Sequence, residues 1–268
     1  MSTSRSWRFT LLQFLAWPVL VFLLLPVFVS VPLSLTPNRY LSLPDREISF
    51  RHYAHLFTDP GWAASAAQSM VIALAATAIA LASGTLCAIG LWRMSSRQAE
   101  LVRSLLLAPI IVPPVVAALA FYRLWIDLGL YDTYAGLILA HAILGAPFVV
   151  ICVSTSLASF DPRLEQAARS LGATPRQAVY HVVMPGILPG ILAGAVFAFI
   201  ASWDEIVVAS FIARRDIFTL PRRMFDSMRE SVDPTIAAAA TVLVLFTLAG
   251  FALYALIASK PEAGNNGK

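Results

Sequence analysis

Trp203, Asp204 and Glu205 stand side by side in a run that is otherwise apolar from residue 188 to 212. An acid at membrane depth costs about 2.5–3.5 kcal/mol on insertion scales, so such a group ordinarily faces a cavity or a partner. The indole beside the two carboxylates offers a π face to a cation. The chemistry available to this trio is recognition of an amine as direct ligand or gate. The structural alternative is that the acids reach water or pair with Arg214, Arg215 or Arg123. Nothing else in the chain points to bond making. Ser83-Gly84 and His141 give no nucleophile signature, and there is no His-Glu-x-x-His pair for a metal. The phosphate-cradling pattern Gly-x4-Gly-Lys-Ser/Thr is absent, and the run at 264–268 only echoes it. Cys87 and Cys152 fall inside apolar runs with no disulfide or ligand spacing. No catalytic residue, no metal site and no nucleic-acid surface is expected.

The elements that position these residues follow from composition. Hydrophobic residues make up 59% of the 268 and charged residues 13%, with a mean hydropathy of +0.76. A water-soluble fold cannot bury that much apolar surface, so lipid is the solvent. A spanning helix needs about 20 mostly apolar residues, and six runs qualify: 10–33, 67–92, 101–125, 134–155, 188–212 and 236–259. The expectation is an all-α membrane protein with one domain over 1–268. The first run is too long for a signal core and ends without a small-x-small cleavage site, which makes it a retained helix. The placement of Lys and Arg gives only a weak positive-inside bias, opposed by the arginines at 214, 215, 222, 223 and 229.

Between the runs, residues 35–66 read as an ordered loop with Pro37, Pro44 and Pro60. Pro113-Pro114 kinks or breaks the third span, either for packing or to line a cavity. Small residues such as Ala76, Ala80, Gly84 and Ala88 permit close helix approach in the second span. Asp127 and Asp132 read as solvated loop acids, His141 as a packed histidine, and Arg222 and Arg223 as a solvated surface pair.

The segment 161–187 is polar and helix-forming, although it lies between two apolar spans. Asp161-Pro162 starts a helix, because Asp caps and proline is preorganised at the first position. Leu164, Ala167, Ala168 and Leu171 then recur on one face. Gly172 stops that helix in the left-handed region. Thr174-Pro175-Arg176-Gln177 is a capping box opening a second short helix, which Met184-Pro185 and Pro189 are expected to end. Helices this short need a surface to pack on. The face is mostly alanine, poor for lipid insertion and good for close protein contact, which favours a protein partner over the interfacial hairpin that is the other reading.

Here the chain resembles a family. The pattern Glu-Ala-Ala-x3-Gly-x9-Ile-x-Leu-Pro marks the cytoplasmic loop of permease subunits of binding-protein-dependent ABC importers. In this sequence it appears as Gln166-Ala167-Ala168, Gly172 and Val182-x-Met184-Pro185, with the spacing kept throughout. Gln166 departs from the family's acid, and Glu165 lies one residue earlier, roughly 100° around the helix; the sequence leaves open whether it substitutes. The Ser202–Glu205 run and residues 219–244 look like those of spermidine/putrescine-type permeases.

The resemblance implies a type I importer permease, six transmembrane helices with a cytoplasmic two-helix coupling loop between spans four and five, and both termini cytoplasmic in a bacterial inner membrane. Glu165, Gln166, Ala167, Ala168, Gly172 and Pro185 would form the ATPase-docking loop, with Trp203, Asp204 and Glu205 in the substrate pathway. The implied partners are a second homologous permease, two ATPase subunits that bind ATP and Mg, an external solute-binding protein and membrane lipid. The chain itself would hold no cofactor and would not be an enzyme. A polyamine is the expected solute, with an opine, an amino acid derivative, an aminophosphonate or ferric iron as alternatives. A stand-alone secondary transporter or channel predicts inverted repeats, which the two halves do not display.

Overall fold

Acid-proline and hydroxyl-proline pairs decide where many of these helices begin. The computed structural model describes residues 4–45, 47–94, 97–230 and 232–258, and the terminal run at 264–268 lies outside them. In order the helices are α1 (Ser4–Ser34), α2 (Arg51–Thr58), α3 (Pro60–Arg93), α4 (Arg97–Ile111), α5 (Pro114–Leu128), α6 (Tyr134–Ser159), α7 (Pro162–Ser170) and α8 (Pro175–Ala178). A π turn, Val179–Val183, leads to α9 (Met184–Gly186), α10 (Leu188–Trp203), α11 (Val207–Ile212), α12 (Leu220–Glu230) and α13 (Thr235–Ala258). No strand occurs among the described residues. Leu12–Ser34, Pro60–Arg93 and Tyr134–Ser159 are each long and apolar enough to cross a bilayer unbroken.

Two expected spans are broken. The third divides at Val112-Pro113, where α4 and α5 meet at 102°. Pro113 and Pro114 supply no amide hydrogens and cannot continue the helix. The fifth divides after Trp203, and three residues separate the end of α10 from the start of α11. Glu205 starts the new helix, its Oε1 accepting from the Val208 amide at 2.7 Å. The loop's second helix ends at Gly186, between Met184-Pro185 and Pro189 as expected, but its path to Pro185 includes the π turn, whose Met184 amide donates to the Val179 carbonyl. An α-helical Pro185 would press its ring against the carbonyl four residues back; widening the preceding turn relieves this. The axis then bends by 69° into α10.

The described chain divides into two units. In the unit formed by Met1–Ala63 and Met224–Lys268, α13 packs against α1 and α2. The loop after α1 is ordered, as expected: Ser34 Oγ meets Tyr53 Oη at 2.6 Å, and Arg51 Nη1 donates to the Pro37 carbonyl at 3.0 Å. Asp59 caps the start of α3 by accepting from the Gly61 and Trp62 amides.

The unit Ala64–Arg223 holds two cores. Ala80, Ala88, Val149, Val153, Leu157, Val183, Ile187 and Ala198 close one of them, and all are buried. Small residues let the helices approach: a Cβ on Gly190 of α10 would lie 2.5 Å from Ser156 Oγ and 2.7 Å from the Cys152 carbonyl of α6. The other core gathers Ile72, Trp125, Leu137, Val208 and Ile212.

Two charged groups expected at a solvated surface hold the fold instead. Asp132 accepts from the amides of Arg214 (2.7 Å) and Arg215 (3.2 Å), and its own amide donates to the Ile212 carbonyl at 2.9 Å. It therefore pins the turn before α6 to the end of α11. Arg222 is buried: its guanidinium donates to the carbonyls of Ala213 and Ile217 and lies 4.2 Å from the centre of the Phe218 ring. The segment after α11 leaves carbonyls without helical partners, and a buried carbonyl requires a donor. Gln68 and Ser69 of α3 serve the amides of the same segment, accepting from Phe218 at 2.7 Å and Leu220 at 2.8 Å.

Candidate functional site

The loop between α6 and α10 is built from local hydrogen bonds. Asp161 accepts from the Arg163 amide at 2.9 Å and opens α7. At its far end the Gly172 amide donates to the Arg169 carbonyl at 3.0 Å, and the Ala173 amide to the Ala168 carbonyl at 3.1 Å. These are the two bonds of a Schellman motif, which requires a left-handed residue between them. Gly172 takes that place with φ +92°. The next helix starts at once through the reciprocal Thr174–Gln177 capping box, with bonds of 2.8 and 3.3 Å.

The two arms are supported differently. Ala178, Val183 and Ile187 anchor the second arm, each fully buried. No residue of α7 is buried. Leu164 is 54% exposed and Leu171 90% exposed, so the apolar stripe on this arm faces away from the chain's own core. Gln166 and Ala167 are exposed with it, and Ala168 is half-buried. Glu165 turns the other way and meets Arg93, at the end of α3, at 2.5 Å. Pro185 stands apart from this surface, beyond the π turn. The short helix α7, capped at both ends, thus presents an exposed apolar stripe, of the kind that marks protein or membrane contacts.

Trp203, Asp204 and Glu205 lie at the other end of α10, roughly 24 Å from its start at 1.5 Å per residue over its 16 residues. Trp203 is the last residue of the helix and stacks on Phe199 with ring centres 5.8 Å apart. Asp204 is exposed. Glu205 is half-buried and its carboxylate faces the α11 amides, so it serves as a cap, a use its place in an apolar run did not reveal. Among the described residues neither acid pairs with Arg123, Arg214 or Arg215; Arg123 pairs with Asp127 at 3.6 Å. One residue before the trio, Ser202 Oγ meets Nδ1 of the buried His141 of α6 at 2.8 Å.

Comparison with known proteins agrees with this architecture. The family model described as "Binding-protein-dependent transport system inner membrane component" matches residues 80–262. The spermidine/putrescine transport system permease protein PotC of Haemophilus influenzae is 30% identical over 253 residues, 94% of this chain and 98% of that protein. The putrescine transport system permease protein PotI of Escherichia coli K12 is 31% identical over 218 residues, 78% of each chain. Among solved structures, a chain of a bacterial ABC transporter involved in the import of the acidic polysaccharide alginate superposes with a TM-score of 0.72. It covers 97% of this chain and 99% of that one at 17% identity, which is a likeness of fold.

Proposed function

The chain belongs to the family of binding-protein-dependent transport system inner membrane components, and on that premise we propose that it forms half of the translocation pathway of an ATP-driven polyamine importer. It is a transport component, a permease subunit of an ABC importer. In this reading residues 1–268 form one permease domain of six spans with both termini cytoplasmic. A homologous second permease completes the pathway, and an external binding protein delivers the solute. Two ATPase subunits, which bind ATP and Mg, serve the two permeases, and one of them docks on the 161–187 loop.

The observation that carries the polyamine reading is the similarity to PotC along 94% of the chain, in a protein that keeps two carboxylates at a helix break. At that break backbone and side chains are turned out of the helix, as membranes tolerate where a cavity is lined. Asp204 is the exposed member, and an ammonium group at contact distance from a carboxylate with low-dielectric walls is held far more strongly than in water. Alginate, an acidic polymer, is imported through the same fold. The fold alone therefore does not select the solute, and the acids favour a cation.

The test is uptake of labelled spermidine and putrescine by proteoliposomes holding this chain with the subunits that co-purify with it, fed by its solute-binding protein. Uptake should require ATP and should fall in Asp204→Asn, with subunit composition unchanged. Uptake of a non-cationic solute in place of both polyamines would overturn the polyamine assignment and leave the importer standing. A chain that purifies without an ATPase and ignores ATP would overturn both.

A further inference from the structure

We propose that the Arg93–Glu165 ion pair is a tether by which the exposed arm of the docking loop moves α3, so that Glu165 is a positioning residue and not a contact for the ATPase. The inference rests on the docking reading of the loop and assigns a distinct task to one of its residues.

Glu165 and Arg93 are 72 residues apart in sequence, yet their side chains meet at 2.5 Å. Glu165 is drawn in, with only 12% of its side chain exposed, whereas Arg93 keeps 40%. A carboxylate so covered on its own chain is not displayed to a partner. Gln166, at the position where the family pattern has its acid, is exposed and lines the same cleft as Glu165 and Arg93.

The rest of the junction explains why a tether matters. The second arm of the loop is rooted in the core by Val183 and Ile187, whereas no residue of α7 is fully buried. A cleft of about 450 Å³ separates α7 from the end of α3, with Trp92 on one wall and Pro162 and Pro175 on the other. The ion pair bridges that cleft. Trp92, next to Arg93, packs edge-on against Phe160 with ring centres 6.0 Å apart, and Phe160 caps the end of α6. Gly186 lies against the same ring, where a Cβ would come within 2.6 Å. The ends of α3 and α6 and the entry to α10 thus converge on one aromatic contact. A load applied to α7 reaches α3 through the ion pair and the other two through packed rings. Coupling of this kind needs a contiguous physical link, and the ion pair is the link to α3 that α7 itself supplies.

Arg93 keeps 40% of its side chain in solvent, and the charge variants are compared in assembled complexes, where retention of the ATPase subunits reports that they have folded. The complete importer is purified with its ATPase subunits and reconstituted as wild type, Arg93→Glu, Glu165→Arg and the double exchange R93E/E165R. Spin labels on the inner ends of α3 and α6 report the ATP-driven change in their separation; ATPase retention and ATP hydrolysis are followed in the same samples. Each single variant should keep its ATPase subunits and hydrolyse ATP, while the fraction of molecules completing the ATP-driven displacement falls about fivefold or more. The exchange should restore it. Wild-type displacement in the single variants, or no recovery in the exchange, overturns the tether. So does loss of the ATPase subunits in Glu165→Arg alone, which would make Glu165 a docking contact. Failure of the wild-type chain to retain any ATPase overturns the docking reading itself, a result that none of the variant outcomes mimics.

Discussion

Replacing Gly172 by alanine isolates the backbone's contribution to the docking loop. Its φ of +92° lies in the left-handed half of conformational space, beyond the usual left-handed helical value. A Cβ built there meets no atom within 4 Å, so the substitution adds no clash and leaves only backbone strain. That strain is roughly 1–2 kcal/mol for an L-residue, a factor of about 5–30 in the population of the turn. Docking draws on that population, so the ATPase subunit's apparent affinity should fall by the same factor. Gly129, the cap at the end of α5, supplies an internal control. It has φ +69° and equally open space, but no part in the loop. Binding of the ATPase subunit to each purified variant in nanodiscs separates the two effects, since Gly129→Ala carries comparable strain and should bind as wild type. Gly172→Ala binding within twofold of wild type, or an equal loss in Gly129→Ala, would refute the argument that Gly172 shapes a docking surface.

Ala168→Glu places a charge on the half-buried flank of α7; membrane insertion should be normal and ATP-driven uptake abolished, and normal uptake would remove the loop from the docking account. Gly190→Val overpacks the contact with Ser156 and Cys152 and should cost about 1–3 kcal/mol, read as a lowered aggregation midpoint in detergent. An unchanged midpoint would show that α6 and α10 have room that the close approach denies. Asp132→Ala removes the acceptor for the Arg214 and Arg215 amides. At about 0.5–1.5 kcal/mol per bond, hydrogen exchange at those amides should speed up several-fold, whereas Asp132→Asn keeps an acceptor and tolerates the φ of +56°.

The features legible in the sequence are those that depend on neighbours along the chain. The Asp161 cap, the Gly172 turn and the Thr174–Gln177 box each close within five residues, so residue type and spacing carry the whole instruction. The Pro113-Pro114 break is legible for the same reason. What escaped depends on partners far off in sequence. Asp132 becomes a clamp only because the fold brings it to amides 82 and 83 residues away. Arg222 is buried because a non-helical segment offers carbonyls that no sequence pattern marks. The break after Trp203 carries no proline or glycine; its one signal was the acid pair, which speaks equally for a ligand and for a cap.

The π turn bears on how such a loop transmits force. A helix that simply ended at Pro185 would leave α8 joined to α10 by slack chain, and a push on the loop would be absorbed there. The helical path instead runs through Val179–Val183 and Met184–Gly186 into α10, interrupted only by the 69° bend. Val183 and Ile187 sit in the core on either side of that bend. Bonds of the wider turn satisfy the backbone where proline removes an α-helical donor. In the proposed docking role this bend would act as an elbow packed into the core. An elbow converts displacement of its short arm into rotation of the long one, and the long arm here is α10, which carries Trp203, Asp204 and Glu205 at or just beyond its far end. On this geometry the loop and the acids need no direct contact, since one rigid helix joins them.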